Sequence, residues 1–150
     1  MNYDEMAGWV NANTPFMTYS GIHIEKVWRD GAIAKAAVTA NTMNPYHMAH
    51  GGLLFTMADV CAGTAARSDG RSYVTQQSSV SFLKPGREGD ELTAEARVIN
   101  RGRTVCLIES DVRSADGRLL FTGMFTYFCI SEESSDKTRE KTAGPAGAGN

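Results

Sequence analysis

The sequence has little of what would indicate disulfides, a nucleic-acid surface or a membrane span. Its three cysteines are an odd number without Cys-x-x-Cys or Cys/His ligand spacing, which favours reduced thiols in the core of a cytoplasmic protein. A formal net charge of -2 leaves no broad basic field for nucleic acid or an anionic membrane. No run of about 18 apolar residues occurs, and no basic leader precedes an apolar run, so we expect a soluble, unprocessed chain.

What the sequence does contain is enough apolar material for one domain. The chain has 150 residues, of which 42% are hydrophobic, so a core can form without cross-links. Apolar spacing predicts a short N-terminal helix over about 3–13, and a long apolar segment predicts a central helix over about 50–67. Residues 1–131 form the predicted domain. Residues 132–150 are rich in Ser, Glu, Lys, Gly and Ala, and we predict a disordered tail there.

Turn residues divide the rest of the domain into strands. Asp30-Gly31 predicts a tight hairpin turn between two strands that precede the central helix. Four further strand-like runs follow the helix, separated by turn-forming segments that contain Gly. The pattern predicts an α+β fold in which an antiparallel sheet wraps around one long central helix. This sheet would consist of the hairpin and of a four-strand antiparallel meander that follows the helix. The predicted strands are 21–28, 32–40, 72–84, 91–100, 104–114 and 118–130.

The central helix carries one acid at an unusual place. Asp59 is the only charged residue of the helix interior and lies about nine positions from its start, too deep for an N-cap. An ionised carboxylate among apolar residues is costly unless it is paired. Gly52, Thr56, Asp59 and Gly63 recur at i, i+4, i+7 and i+11, so they share one narrow face. Asp59 is therefore a candidate catalytic group. The alternative is structural: small residues admit a second helix, and a hydroxyl such as Thr75 binds the acid.

The start of the same helix offers a second chemical feature. His50-Gly51-Gly52 leaves backbone N–H groups at the positive end of the helix dipole, where they can polarise a carbonyl group or hold an oxyanion. Gly51 and Asp59 are eight residues apart, which is about 12 Å along one helix at about 1.5 Å per residue. That is too far for both to act on one atom. If they act together they belong to two chains, so the sequence predicts a homodimer with the two helices side by side.

Three motifs carry a resemblance to a known family. They are Asn44-x-x-x-x-x-His50-Gly51-Gly52-x-x-x-x-Met57-Ala58-Asp59, then Val80-Ser81-Phe82-Leu83-Lys84-Pro85-Gly86, then Gly89-Asp90-x-Leu92. Over about 21–130 the chain resembles the hotdog-fold acyl-CoA thioesterases of the phenylacetate-degradation (PaaI) type. The order of helix and strands predicted above is that of a hotdog domain, so the resemblance implies this fold.

The resemblance also implies roles for five residues. Asp59 would attack the thioester or activate water, and the Gly51 amide of the facing subunit would polarise the thioester carbonyl. Asn44 would help to orient the site, and His50 would support the glycine turn. The hydroxyl of Thr75 would lie near the acid.

The implied reaction is hydrolysis of a small or medium acyl-CoA, with aromatic groups such as phenylacetyl among the candidates. An obligate homodimer would carry it out, alone or as half of a tetramer. No metal or redox cofactor is implied, since coenzyme A is part of the substrate. Acid chemistry suits a sequence that has no Gly-x-Ser-x-Gly elbow and no cluster of metal ligands.

The remaining candidate residues would bind the substrate. Gly52 and Gly63 lie on the polar face of the helix, and three basic residues near turns suit the phosphates of coenzyme A. These are Lys84, Arg101 and Arg103. The alternative is that these charges are ordinary solvated turns, because acidic residues lie among them. The aromatic residues of the last strand are interpreted as core and interface: Phe121, Phe125, Tyr127 and Phe128.

His47 departs from the family pattern, which usually has glycine three residues before His-Gly-Gly. It is either a surface loop histidine or a residue that lines the pocket and alters acyl selectivity or supplies a base. A base at this place would indicate an enoyl-CoA hydratase or dehydratase instead, since hotdog enzymes of that class pair a loop histidine with an acid on the central helix. A further alternative is a non-catalytic module that binds or senses acyl-CoA. The presence of Asp59 favours the thioesterase over both.

Overall fold

The computed structural model describes residues 1–131; the predicted tail at 132–150 lies outside the described residues. One long helix packs against a six-stranded sheet, and two shorter helices precede them. The α-helices are α1 (Tyr3–Asn13), α2 (Pro15–Tyr19) and α3 (Gly51–Arg67), and a short 3-10 helix covers Ala40–Thr42. The strands are β1 (His23–Trp28), β2 (Gly31–Ala37), β3 (Ser72–Phe82), β4 (Glu91–Arg101), β5 (Val105–Ser114) and β6 (Leu119–Ser131).

All strand pairs are antiparallel, in the order β1-β2-β4-β5-β6-β3, and α3 lies against one face of the sheet. The predicted fold class, an antiparallel sheet around one central helix, is confirmed. Over residues 1–131, no helix combines the length and hydropathy that a membrane crossing requires.

Small side chains bring α3 close to the middle of the sheet. Every second residue of β2 faces the helix and is alanine, and the same holds for part of β4. Because these side chains are short, the helix backbone approaches the strands closely enough for the Cys61 thiol to donate to the Ala32 carbonyl at 3.2 Å. The fully buried alanines of this layer are Ala32, Ala34, Ala36, Ala58, Ala62, Ala65, Ala94 and Ala96.

The predicted four-strand meander is wrong. β3 does not pair with β4; it pairs with β6 at the edge of the sheet, and β4 pairs with β2. The connection over 83–90 carries the chain from that edge to the middle and is tied down by backbone hydrogen bonds such as Ala49 N–H to Gly86 O at 2.8 Å. Turn spacing locates strands but not their partners, which are chosen by packing between residues far apart in the chain.

The N-terminal region also differs in one detail from the prediction. α1 ends at Asn13, as expected for a helix with Pro15 beyond it, but Pro15 then begins the short helix α2. The fixed φ of proline suits the first turn of a helix, where its missing N–H is not needed. Met17 of α2 is fully buried, so this short helix adds to the core.

Candidate active site

The first turn of α3 leaves one backbone donor free. His50 is the N-cap, and its Nδ1 accepts the Gly52 N–H at 2.8 Å. The His50 carbonyl accepts the N–H of Leu53 at 2.9 Å and that of Leu54 at 3.5 Å. Within residues 1–131 the Gly51 N–H has no acceptor. The sequence predicted several free amides here, whereas the structure leaves the single amide of Gly51.

The Gly51 amide lies at a cleft of about 370 Å³ between the start of α3 and the segment that follows β3. The Phe82 ring packs against Gly51, and an added Cβ would stand 3.2 Å from it, so a larger residue would require this half-exposed ring to shift slightly. Exposed Lys84 also lines the cleft. A carbonyl group entering this cleft would meet a positive helix end and an apolar wall.

Asn44 shapes the loop that leads to this amide. Its side-chain Oδ1 accepts the N–H of Tyr46 at 3.0 Å and of Met48 at 3.1 Å, and its own N–H donates to the Met48 carbonyl at 2.7 Å. Such an Asx turn fixes a loop by local hydrogen bonds. Asn44 lines the Gly51 cleft as well, and His50 caps the helix directly before Gly51.

Asp59 has one occupied and one unoccupied carboxylate oxygen. The Thr75 hydroxyl donates to Oδ1 at 2.8 Å, and the Tyr127 hydroxyl lies 2.7 Å from the same oxygen and 2.5 Å from the Asp59 backbone carbonyl. Within residues 1–131, Oδ2 has no hydrogen-bond partner. The half-buried carboxyl group lines a second cleft of about 230 Å³. Two hydroxyls therefore hold the carboxylate by one oxygen and leave the other available.

The two hydroxyls converge because their residues are direct cross-strand neighbours. Thr75 of β3 pairs with Tyr127 of β6, and the register shifts immediately afterwards, at Gln76. A β-bulge at this place ends the regular alternation just beyond Thr75, and bulges are common beside functional sites. Both side chains reach α3 at the same turn.

Tyr127 is the functional candidate that the sequence analysis assigned to the core. It is buried, and burial together with the Asp59 carboxylate raises its pKa well above the usual value, so the hydroxyl stays protonated and donates. Gly63 makes room for it, since an added Cβ would stand 2.8 Å from the ring. The sequence contains one indication of this role. Tyr127 has a hydroxyl, whereas the other buried aromatic residues on the helix-facing side of β6, Phe121 and Phe125, have none.

Gly51 and Asp59 lie in two separate clefts of the protomer. Eight residues of one helix separate them, about 12 Å along its axis. A single protomer therefore presents an amide at one place and an acid at another, and neither cleft contains both.

Comparison with known proteins identifies the family. Residues 46–121 match the model of the thioesterase superfamily. The chain belongs to the thioesterase superfamily. The acyl-coenzyme A thioesterase PaaI of Escherichia coli is 31% identical over 109 residues, which cover 69% of this chain and 78% of that protein. The resemblance to hotdog thioesterases of the PaaI type is thus confirmed.

Solved thioesterase structures share the fold. The E. coli PaaI protein aligns with a TM-score of 0.79 and 27% identity over 87% of this chain and 97% of that one. A hypothetical thioesterase of Streptococcus pneumoniae, solved with coenzyme A, aligns with a TM-score of 0.73 and 34% identity over 77% of this chain and 94% of that one.

The departure from the thioesterase pattern at His47 has a backbone consequence. His47 has a φ of 60°, in the left-handed region that glycine enters readily and other residues rarely adopt. Its side chain is exposed and does not line either cleft. The structure thus gives no support to a catalytic base at this position. It also gives none to the hydratase hypothesis, which depends on that base.

Two of the residues predicted to bind phosphate, Arg101 and Arg103, lie outside both clefts. Arg101 is half-buried at the far end of α3, where it binds Asp30 at 2.7 Å and Asp69 at 2.8 Å and donates to the Ala65 and Ala66 carbonyls. This network occupies its guanidinium and takes it out of reach of a phosphate. Exposed Arg103 lines neither cleft. Of the three basic candidates, only Lys84 borders the Gly51 or the Asp59 cleft.

Proposed function

We propose that this thioesterase hydrolyses small and medium acyl-CoA thioesters, aromatic ones included, at a composite site. The Gly51 amide of one protomer would polarise the thioester carbonyl, and Asp59 of the partner subunit would attack it or activate a water molecule. The observation that carries the proposal is a pair of groups on α3 that have no hydrogen-bond partner within residues 1–131: the N–H of Gly51 at its start and one carboxylate oxygen of Asp59 on its exposed face.

The chemistry follows from how each group is held. An N–H at a helix start stabilises the negative charge that develops on the thioester oxygen in the transition state. Thr75 and Tyr127 fix Oδ1 of Asp59, so Oδ2 is oriented for attack or for accepting a proton from water. Collapse of the tetrahedral intermediate breaks the C–S bond and releases the coenzyme A thiolate, which takes up a proton. If Asp59 attacks directly, water then hydrolyses the acyl anhydride.

The outer strand of the sheet supports a dimer. β3 lies at an edge and has no charged residue over its 11 positions, although charges are the usual protection of an exposed edge. Three apolar side chains on it or just after it are about half exposed: Val74 at 47%, Phe82 at 55% and Leu83 at 49%. Antiparallel pairing of two β3 edges about a two-fold axis would set the two α3 helices side by side, as the composite site requires. Whether such dimers pair into tetramers stays a prediction.

Two variants of a relative have substitutions at the same residue types and spacing as Asp59 and Thr75. Two further structures of the S. pneumoniae thioesterase have an aspartate or a threonine replaced by alanine, at positions sixteen apart. Asp59 and Thr75 are separated by the same sixteen positions. The coenzyme A in the S. pneumoniae structure supports a CoA thioester as the substrate here, and exposed Lys84 is the proposed contact for its phosphates.

The test is thiol release from a panel of acyl-CoA thioesters, with wild-type protein and the Asp59→Asn variant. We expect wild type to release thiol and the variant to lose at least about 100-fold in kcat, the usual contribution of a positioned acid or base. Asp111→Asn is the matched control, because half-buried Asp111 also accepts a threonine hydroxyl, that of Thr122 at 2.6 Å, but lies outside both clefts. Equal thiol release by wild type and Asp59→Asn would refute the proposal, and tight binding without release would instead indicate a non-catalytic module.

A further inference from the structure

Arg67, the last residue of α3, lies in the wall of the Asp59 cleft. Asp59, Gly63 and Arg67 follow one another at i, i+4 and i+8 and line the same cleft, about 12 Å from first to last along the helix. The cleft thus has a carboxylate at one end and a guanidinium at the other. Most of the wall between them is apolar or aromatic: Val10, Val60, Tyr73, Val74 and Tyr127.

Arg67 has no carboxylate partner within residues 1–131, unlike the other half-buried arginines. The other half-buried arginines of residues 1–131, Arg71, Arg101 and Arg118, each bind at least one carboxylate at 2.7 to 3.1 Å. Within the same residues Arg67 forms no salt bridge, and its guanidinium donates one hydrogen bond, to the Tyr73 carbonyl at 3.3 Å. Burial lowers the pKa of Arg67, and the charge of Asp59 opposes this shift only in part.

We propose that Arg67 recognises a carboxylate at the far end of the acyl group, so that the preferred substrates are CoA thioesters of medium-length dicarboxylic acids. The inference rests on the proposed function, because it places the thioester at Asp59. The acyl chain would lie along the apolar wall, and its terminal carboxylate would pair with the unused donors of the guanidinium. A fully apolar acyl chain would bury Arg67 and leave it without an anion.

The experiment compares octanoyl-CoA with suberyl-CoA, which differ by one terminal carboxylate. For wild type we expect kcat/KM to be at least about tenfold higher with suberyl-CoA, the effect of a charge-assisted hydrogen bond. Arg67→Met, which keeps an unbranched apolar side chain, should abolish this preference by lowering kcat/KM at least about tenfold more for suberyl-CoA than for octanoyl-CoA. Arg67→Lys should restore part of the preference, and Arg113→Met, at an exposed arginine outside the cleft, should leave it unchanged.

Two results would overturn the assignment of Arg67. One is equal kcat/KM of wild type for the two substrates. The other is an equal loss for both substrates in Arg67→Met, with lower thermal stability or weaker self-association, since that pattern marks a structural or interface ion pair.

Calorimetry with non-hydrolysable thioether analogues separates this proposal from the proposed function. If no substrate releases thiol but wild type binds the suberyl analogue about tenfold more tightly than Arg67→Met does, the hydrolase proposal fails and the role of Arg67 stands. If thiol is released without any preference for the carboxylate, the hydrolase proposal stands and the role of Arg67 fails.

Discussion

At the scale of single residues, the two oxygens of the Asp59 carboxylate differ. Oδ1 receives Thr75 and Tyr127, whereas Oδ2 has no partner in the described part of the chain. A carboxylate held by one oxygen keeps its orientation and presents the other oxygen to the substrate. Tyr127 belongs to this arrangement as a positioning residue.

Tyr127→Phe tests that role. The change removes the hydroxyl that contacts both Oδ1 and the backbone carbonyl of Asp59. A hydrogen bond to a charged group is worth about 1.5 to 3 kcal/mol, so we expect kcat to fall by about tenfold or more while KM changes little. Thr122→Val is the matched control, because it removes another hydroxyl that donates to a carboxylate, that of Asp111 at 2.6 Å, and lies outside both clefts. That control should lower thermal stability and leave kcat intact. An unchanged kcat in Tyr127→Phe would exclude the positioning role.

His47→Gly tests the strained loop. Glycine accepts a φ of 60° without steric cost, so we expect the free energy of unfolding to rise by about 1 kcal/mol, measured by denaturant titration. Thiol release should persist, because the exposed His47 side chain lines neither cleft. Loss of activity, or hydration of crotonyl-CoA by wild type that this variant abolishes, would favour a catalytic histidine instead.

At the scale of elements, a network of charges holds the end of α3. The Asp69 carboxylate binds Arg71 at 2.7 Å, Arg101 at 2.8 Å and the Tyr73 hydroxyl at 2.7 Å. Arg101 also binds Asp30 in the β1–β2 turn. The network therefore joins the end of the helix to the start of β3, the end of β4 and the first hairpin. It fixes the strand that carries Thr75.

Asp69→Asn should make stability depend on pH in a defined way. Burial alone would raise the pKa of Asp69, but its hydrogen bonds from Tyr73 and Arg71 and the charge of Arg101 lower it overall. A lowered folded-state pKa adds stability above the unfolded value of about 3.9 and loses it as the pH falls through the folded-state value. Wild type should thus be more stable than Asp69→Asn at pH 7, with the difference shrinking below about pH 4.

Thermal unfolding of both proteins at several pH values measures this difference. Glu25→Gln is the control, because exposed Glu25 pairs with Lys35 at 3.3 Å on a solvated hairpin, where an ion pair adds little stability. A wild-type advantage that is constant from pH 7 to pH 3 would contradict the predicted linkage.

At the scale of the whole molecule, the composite site predicts complementation between two inactive variants. Asp59→Asn removes the acid. Gly51→Pro removes the free N–H at the first helical position, where proline is well accepted, and its added Cβ would stand 3.2 Å from the Phe82 ring, which must shift slightly. Each homodimer should be inactive, but a mixed dimer has one site with both groups intact. After unfolding and refolding of an equal mixture, half of the dimers are mixed, so activity should reach about one quarter of wild type.

A mixture that stays inactive would contradict the composite site and place both groups in one protomer. Sedimentation of each variant controls for association, since the test requires dimers. Gly8→Ala refolded with Asp59→Asn gives the reference for mixing with an active partner, because an added Cβ at Gly8 meets no atom within 4 Å.

The local features of the fold could be predicted because local interactions produce them. The helix start at His50-Gly51, the helix end near Arg67 and the strand positions follow from periodicity and turn chemistry, and α3 and the six strands lie close to their predicted places. The separation of Gly51 from Asp59 also follows from the rise of one helix. Each of these depends on neighbours within about one turn or one hairpin.

Tertiary structure alone determined which strands pair and which side chains contact each other. It paired β3 with β6 and thereby set Tyr127 beside Thr75 against Asp59, and it enclosed Arg101 in a network of acids while leaving Arg67 without one. These contacts join residues tens of positions apart, and their energies depend on packing and register that no local pattern encodes. The sequence by itself determined that an acid lies on an apolar helix behind a glycine turn; the folded chain determined which oxygen of that acid is free.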